Sequence, residues 1–545
     1  MKLRRYLPLF VSLLALAGCS STGPTPISSA SVPTSESTIP SSSSQIPTSA
    51  LPSGDGWHQQ SSLDASLYFF ELGHFNSNPI VDSIEDVPVL VLPIEFTNYP
   101  FTQSRLDDIR TAIEGSSEDT HYWESLDSFY TKSSFGRLDL SFTFAEPYAV
   151  STDPYSWFEV HKNETAYVEE GEAVPYYKAV ATMPQLAMEG ALNAYKDRTG
   201  DDCKSFDSDH DGLVDAIIMI YSCPLKKEGE LSELLWAYQY NEQRNVEGNL
   251  TSPIGFRYFW SSYSAFYEGV GEGQGVDAHT IIHEFGHLLG ADDYYNYGKT
   301  QLDVAEPSGK SIMMAYNICD HDIFTKLSYG WVDPYVVDGN CTLTISPSQE
   351  SGQCILLADH WNGTCFDEFV IFELYTPTGL NELDAKTAYN SYKGMDDYGV
   401  RVYHIDHRLA RGKNFGEDAL MKVDKILTDE EIEDWPTTAR SYAQKYYVLP
   451  MVTNTYSKDL DAIRGKGFEL IQFVQRGGTN VTKNGGNVTE ADLFQTGDEF
   501  SLASHSEFFP AGDNKLNNGE SLPFKVHFDE VTAEKATLTF TKLEA

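Results

Sequence analysis

The stretch IIHEFGHLLG, residues 281–290, places two histidines and a glutamate in a run that is otherwise apolar or glycine. On a helix, residues four positions apart lie on one face, so His283 and His287 would present their imidazoles side by side. Two neutral imidazoles at this spacing bind Zn²⁺, and Glu284 stands where the base that polarises a zinc-bound water is expected. The remaining apolar residues would seat the helix in a core. The stretch therefore predicts a buried, zinc-binding helix.

The residues after this helix predict the third metal ligand. Gly290 permits a sharp turn, which would bring the chain back toward the metal. The segment HEFGHLLGADD, residues 283–293, matches the pattern HExxHxxGxxD and predicts Asp293 as the third ligand. A carboxylate oxygen is an acceptable zinc ligand. Asp292 is the alternative for this role.

A second segment, SIMMAYN at residues 311–317, resembles the Met-turn that lies beneath the metal site in metzincins. Either methionine of this segment fits the turn, and Met313 is favoured over Met314. Tyr316 is a candidate for donating a hydrogen bond to the oxyanion of a tetrahedral intermediate. A packed core tyrosine is the alternative for this residue.

The segment DSDHDGLVD, residues 207–215, predicts a calcium site. Its aspartates alternate and a glycine follows, as in the first half of an EF-hand loop, where positions 1, 3 and 5, a carbonyl at 7 and an acid at 9 bind the ion. Ile218 replaces the glutamate expected at position 12. A solvated acidic turn is the alternative. The predicted ligands are Asp207, Asp209, Asp211, the Leu213 carbonyl and Asp215.

The N-terminal segment MKLRRYLPLFVSLLALAGCS predicts export. A basic start, a short apolar run and small residues before Cys19 are typical of a signal peptide over residues 1–18. The ending LAGC resembles the bacterial lipobox, which predicts lipidation of Cys19 and a lipid anchor in the membrane; an ordinary signal peptide is the alternative. Residues 19–56 are rich in Ser, Thr and Pro and predict a disordered tether. These features predict an extracytoplasmic protein on a bacterial cell surface.

Composition limits the partners. The chain carries 80 acidic and 38 basic residues, a formal net charge of −42, which argues against nucleic acid because phosphate contacts require clustered Lys and Arg. The same excess suits an affinity for divalent cations. Outside the cell, the six cysteines after Cys19 are able to form disulfides, and the sequence leaves their pairing open.

Patterning along the chain predicts two folded regions. Residues 57–340 alternate buried-strand patterns, such as VPVLVLPIEF and LVDAIIMIYS, with helical ones, which favours an α/β (α+β) unit. After Cys341, short alternating runs separated by Gly, Asn, Asp and Ser predict a mostly β, sandwich-like region over 341–545, with one possible helical insert near 428–446.

Several segments together resemble the immune inhibitor A family of secreted bacterial zinc metalloproteases. The matching pieces are LVLPIEF, SLDSFYTKSSFGRLDLS, DSDHDGLVDAIIMIYS, HEFGHLLGADDYY, DHDIFTKLSYGWVDP, GVRVYHID and DLFQTGDEFSL. The resemblance covers roughly residues 85–545 and is strongest between 205 and 335. One departure is Tyr294, which stands where the family pattern has an acidic residue after the GxxD aspartate. The resemblance implies a metzincin-like protease domain.

These observations predict a lipid-anchored zinc metalloendopeptidase at the cell surface. Its expected reaction is hydrolysis of peptide bonds in extracellular proteins or peptides, by Glu284-assisted attack of a zinc-bound water. One alternative is a surface binding protein, adhesin-like, on a catalytically weak or inactive protease scaffold. A second alternative is a structural, calcium-dependent surface protein with an incidental zinc site.

Overall fold

The computed structural model describes most of the chain from residue 53 onward. The predicted signal peptide, Cys19 and residues 20–52 of the predicted tether lie outside the described residues. The described residues are 53–61, 69, 80–116, 123–151, 153–154, 168–169, 172–173, 177–227, 230–231, 237–241, 248–268, 271, 275–295, 307–309, 311–413, 422–434, 447–454, 468–484, 486–512 and 514–544.

Helices are few and mostly short. Those with α-helical geometry are α1 (Gln103–Glu114), α2 (Leu126–Ser133), α3 (Tyr177–Thr199), α4 (His279–Leu288), α5 (Met313–Tyr316), α6 (Ile323–Ser328), α7 (Ser348–Ser351), α8 (Glu382–Lys386) and α9 (Asp429–Glu433). Helices α2 and α3 lie in the region predicted to alternate strands with helices, and α9 lies in the insert predicted to be helical.

Strands dominate the fold. Before residue 340 they are β1 (Ser53–Gly54), β2 (Trp57–Gln59), β3 (Glu85–Phe96), β4 (Leu138–Phe144), β5 (Tyr148–Val150), β6 (Val168–Glu169), β7 (Glu172–Ala173), β8 (Leu213–Val214), β9 (Ala216–Tyr221), β10 (Lys226–Lys227), β11 (Glu230–Leu231), β12 (Tyr238–Asn241), β13 (Ile254–Gly255), β14 (Arg257–Ser262) and β15 (Tyr335–Val337). After residue 340 they are β16 (Cys341–Ile345), β17 (Ile355–Leu357), β18 (Glu368–Tyr375), β19 (Gly399–Asp406), β20 (Leu409–Lys413), β21 (Lys422–Ile426), β22 (Tyr447–Pro450), β23 (Ile471–Phe473), β24 (Glu499–Phe500), β25 (Phe524–Val531) and β26 (Ala536–Lys542).

A six-stranded sheet lies behind the predicted zinc helix, in the order β12-β14-β9-β3-β4, with β5 also paired to β3. The strands β14, β9, β3 and β4 run parallel, whereas β12 is antiparallel at one edge. Central parallel strands are covered on both faces, which explains the unbroken apolar run of β3, where Val89, Leu90, Val91 and Leu92 are fully buried. The buried-strand predictions for this region are confirmed.

The second large sheet joins both predicted regions of the chain. Its order is β1-β2-β15-β17-β18-β19-β23, so strands from either side of Cys341 are hydrogen-bonded into one sheet. The hairpin β1–β2 brings residues 53–56, the end of the predicted tether, into the same sheet. A four-stranded sheet, β16-β26-β25-β24, shares a hydrophobic cluster with β17, β18 and β19. The fold is therefore mixed α/β with mostly sheet.

Two further findings concern the cysteines and membrane spans. Cys203, Cys223, Cys319, Cys341, Cys354 and Cys365 are free thiols in the structure. Within the described parts of the chain, no helix combines the length and the apolar character needed to cross a bilayer.

Candidate metal centre

Helix α4 carries the two motif histidines toward a common point. The two Nε2 atoms of His283 and His287 lie 3.1 Å apart, and Asp293 Oδ1 lies 3.0 Å from the first and 3.3 Å from the second. His283, Glu284 and Asp293 are each less than a tenth exposed. The structure thus brings together the three side chains that the motif predicts as ligands.

The other ring nitrogen of each histidine contacts a backbone carbonyl. Nδ1 of His283 is 3.0 Å from the carbonyl oxygen of Met313, and Nδ1 of His287 is 2.7 Å from that of Ala291. A carbonyl only accepts hydrogen bonds, so each Nδ1 carries a proton, and each Nε2 would direct its lone pair at a bound metal. The favoured methionine of the Met-turn therefore orients a predicted ligand directly, through its carbonyl group.

The spacing of the three ligand atoms fits zinc. Ligands 2.0–2.2 Å from a tetrahedral Zn²⁺ lie about 3.3 Å from one another. The three separations in the structure, 3.0, 3.1 and 3.3 Å, are close to that value. Two imidazoles and one carboxylate also form a donor set typical of catalytic zinc sites, which keep a fourth position open.

Two glycines allow this arrangement. Gly290 has φ 106°, and a Cβ there would lie 2.7 Å from the Cβ of Phe69, so the turn that returns the chain to Asp293 requires glycine. A Cβ on Gly286 would lie 2.6 Å from the sulfur of Met314. The second methionine of the SIMMAYN segment therefore packs against the back of the metal helix, while Met313 supplies the carbonyl.

Charge couples the three ligands strongly. Burial would raise the pKa of Asp293, but the imidazoles of His287 and His283 hold it far below its ordinary value. Burial would likewise lower the pKa of His287, but Asp293 raises it to about 9. Protonated imidazole supplies the positive charge beside this buried carboxylate, and a divalent cation would supply it in place of the proton.

Glu284 follows His283 on the same helix and is buried. Burial raises the pKa of its carboxyl group, whereas His287 and His283 act in the opposite direction. A hydrogen bond from the backbone of Gln239, on the edge strand β12, also favours the charged form. Within the described residues, the Oε2 atom of Glu284 has no hydrogen-bond partner. A carboxylate oxygen that is buried and unpartnered beside a metal cluster is suited to accept a proton.

The neighbours of Asp293 differ in their placement. Asp292 is not in the cluster formed by His283, His287 and Asp293, and burial raises its pKa to about 6.

Tyr295, which the sequence did not single out, forms a side-chain hydrogen bond with Asp293. Its ring centroid is 6.3 Å from that of Tyr316, the residue predicted from the Met-turn segment. No local pattern in the sequence distinguishes Tyr295 from Tyr294. Only the turn after Gly290 places Tyr295 beside Asp293.

Three long side chains from other elements bind carbonyl groups of helix α4. Tyr130 donates to the Ile282 carbonyl at 2.8 Å and Tyr329 to that of Gly286 at 2.8 Å. Arg257 Nη2 donates to the carbonyl of His287 at 2.5 Å. A guanidinium at a helix C-terminus also interacts favourably with the helix dipole. These contacts hold the last turns of the metal helix, and with them the orientation of His287.

The predicted calcium loop forms a compact turn in front of β8 and β9. The carboxylates of Asp207, Asp209 and Asp215 converge, with ligand atoms within 4.8 Å of one another. Asp211 is not in this group, and its Oδ1 accepts from the Leu213 amide at 2.8 Å. Leu213 begins β8. Burial raises the pKa of Asp215 to about 7 and also raises that of Asp207.

The turn of this loop depends on glycine. Gly212 has φ 84°, and a Cβ there would lie 2.3 Å from the backbone nitrogen of Asn249. The Gly212 carbonyl accepts hydrogen bonds from the amides of Asn249 and Ile254. The acidic loop is therefore docked against the segment that leads to β13 and β14.

No protein-family model matches this chain, and no curated protein matches it.

Proposed function

We propose that this chain is a zinc-dependent metalloendopeptidase that hydrolyses peptide bonds of extracellular proteins. One observation carries the proposal: Nε2 of His283, Nε2 of His287 and Oδ1 of Asp293 converge at zinc-ligand spacing beside an unpartnered carboxylate oxygen of Glu284. Two histidine Nε2 atoms and a carboxylate oxygen lie within 3.3 Å of one another, and a shared cation would hold three such ligand atoms together.

The residues of the chain divide the chemistry among them. Bound zinc supplies Lewis acidity, which makes water a nucleophile near neutral pH and polarises the substrate carbonyl. Glu284 accepts the proton of the attacking water at its carboxylate and returns it to the leaving amine. Tyr316 is the candidate for donating a hydrogen bond to the developing oxyanion. No covalent intermediate is required.

The proposal extends to the architecture and the location. A metzincin-like domain would consist of the six-stranded sheet, with its antiparallel edge strand, and helix α4. The sheets after Cys341 would form a sandwich-like region. The acidic loop would hold Ca²⁺ through Asp207, Asp209 and Asp215, with the remaining predicted oxygens from Asp211 and Leu213. The protein would be attached to the outer face of a bacterial membrane by a lipid on Cys19.

The decisive experiment measures metal content and proteolysis on the same preparation. The protein purified without its signal peptide should contain about one zinc per chain and should cleave a denatured protein such as casein. Chelation should abolish both, and stoichiometric Zn²⁺ should restore both. Zinc binding without proteolysis would refute the peptidase function and leave the two alternatives, of which a calcium-dependent melting temperature would favour the structural one. Absence of zinc would refute the metal site itself.

A further inference from the structure

Residues 389–392, with the sequence YNSY, form a tight hairpin beside the metal centre, which we call the tyrosine hairpin. Tyr389 and Tyr392 exchange backbone hydrogen bonds, each 2.8 Å long. The two residues between them, Asn390 and Ser391, have φ values of 47° and 76°. Positive φ at both central positions is the geometry of a type I′ turn, and a serine there costs free energy that neighbouring contacts must offset.

Tyr389 attaches the tyrosine hairpin to the metal helix. Its buried ring stacks on His279, the first residue of α4, with centroids 4.2 Å apart and planes at 18°. Its hydroxyl lies 3.2 Å from both the Thr280 hydroxyl and the Glu268 carboxylate. The hairpin therefore has a fixed position relative to His283 and His287, although it is contributed by the region after Cys341.

Tyr392, at the other end of the hairpin, lies toward the metal cluster. Its ring centroid is 4.0 Å from that of Tyr316, which in turn is 6.3 Å from that of Tyr295. Tyr295 hydrogen-bonds to Asp293. A row of three aromatic rings thus extends from the third predicted ligand to the hairpin.

These three rings differ from the core aromatics in their exposure. Tyr295, Tyr316 and Tyr392 are all half-buried. Tyr389, which pairs with Tyr392 across the hairpin, is buried. Half-buried rings also occur elsewhere in the described chain, but these three lie in one row next to the predicted metal ligands. Aromatic rings at the rim of a polar site supply apolar contact area with little loss of conformational entropy, which suits recognition of a ligand side chain.

We propose that the tyrosine hairpin is a substrate-recognition element. In this proposal the rings of Tyr392, Tyr316 and Tyr295 form one wall of a subsite that takes a large apolar or aromatic side chain next to the scissile bond. The proposal rests on the metalloendopeptidase function and adds a substrate class to it: peptides with Phe, Tyr, Leu or Met beside the cleaved bond. Tyr392 determines specificity here, and it takes no part in proton transfer.

The test uses the zinc-loaded protein and a set of peptides that differ only at the position next to the scissile bond. The wild type should prefer Phe and Leu over Gly and Asp. In Tyr392→Ala, kcat/KM for the Phe peptide should fall roughly tenfold, the scale for lost apolar contact in a pocket. The Gly peptide should be cleaved at nearly the wild-type rate, because it makes no contact with the wall.

Two control variants separate recognition from folding. Tyr392→Phe keeps the ring and should keep the preference. Leu383→Ala removes an exposed apolar side chain of α8, which precedes the hairpin, and should also leave the preference unchanged. Zinc content and melting temperature of Tyr392→Ala should match the wild type.

The outcomes distinguish this proposal from the function on which it rests. A wild type that cleaves no peptide overturns the proposed function and this inference together. A wild type that cleaves peptides, with the same preference in Tyr392→Ala, overturns this inference alone. Equal loss for the Phe and Gly peptides in Tyr392→Ala also overturns it, because the hairpin would then act only on folding or on the metal.

Discussion

Asp384 and His279 lie 105 positions apart in the sequence, yet Asp384 Oδ1 is 3.2 Å from His279 Nε2 in the interior of the protein. The other ring nitrogen of His279 is 3.0 Å from Asp277 Oδ1. Because ionised carboxylates only accept hydrogen bonds, His279 is held as an imidazolium between two acids. Its ring also stacks on Trp123, with centroids 3.9 Å apart. The contact between Asp384 and His279 joins the region after Cys341 to the start of helix α4.

The first prediction is a loss of stability at alkaline pH. Burial alone would lower the pKa of His279, but Asp277 and Asp384 raise it to about 9, above the ordinary value of 6.5. A raised pKa stabilises the folded state fully below about pH 6.5, and this contribution is lost as the pH rises through about 9. The free energy of unfolding of the zinc-loaded protein should therefore fall by an amount of order 3 kcal/mol over this interval.

Chemical denaturation at several pH values measures this effect. In His279→Gln the decline between pH 6.5 and 9 should disappear, and in Asp384→Asn it should begin at lower pH. Loading with zinc keeps His287 from titrating in the same range. An equally steep decline in His279→Gln would assign the pH dependence to another group.

The second prediction concerns the general base. Glu284→Gln keeps the shape of the side chain but removes its ability to accept a proton, so hydrolysis should fall by about 10²- to 10⁴-fold or more. Zinc content should remain at the wild-type level, because the ligands are His283, His287 and Asp293. Peptidase assays and metal analysis on one preparation measure both quantities. Activity near that of the wild type would refute the proposed mechanism.

The third prediction separates two adjacent aspartates. Asp293 Oδ1 is within 3.3 Å of both histidine Nε2 atoms, whereas Asp292 is outside the cluster. Asp293→Ala should therefore lose most of its zinc after dialysis, and Asp292→Ala should retain it. Atomic absorption on the two variants decides between them. Loss of zinc from Asp292→Ala alone would shift the ligand register by one residue.

The fourth prediction concerns calcium. The carboxylates of Asp207, Asp209 and Asp215 repel one another unless a cation neutralises them, so millimolar Ca²⁺ should raise the melting temperature of the zinc-loaded protein. Asp209→Ala should remove this gain. Asp202→Ala, which alters a nearby exposed carboxylate outside the cluster, is the matched control and should keep it. A melting temperature indifferent to calcium in the wild type would exclude the site.

The fifth prediction concerns the anchor. If the LAGC segment is a lipobox, a palmitate analogue should label the wild-type protein in bacterial cells, and Cys19→Ser should remain unlabelled. The measurement is in-gel detection of the label after membrane fractionation. A wild-type chain that is unlabelled and released into the medium would identify residues 1–18 as an ordinary signal peptide.

Local patterning in the sequence was sufficient for many of the elements and for the cluster of His283, His287 and Asp293. The periods of helices and strands follow from backbone sterics that act within a few residues, so the runs VPVLVLPIEF and LVDAIIMIYS form strands as predicted. The HExxH spacing places His283 and His287 on one face of a helix for the same reason. The pattern after Gly290 also predicted Asp293, because a glycine turn redirects the chain within three residues.

Only the tertiary structure determined what surrounds those ligands. Asp384 contacts His279, Arg257 contacts the carbonyl of His287, and Tyr392 packs against Tyr316, each across a long stretch of chain. Such contacts arise when sheets and helices pack, and the cost of bringing distant segments together is offset only by the whole core. No short-range pattern in the sequence encodes them, so the three predicted ligands are local in origin, whereas their orientation and the aromatic row beside them depend on the complete fold.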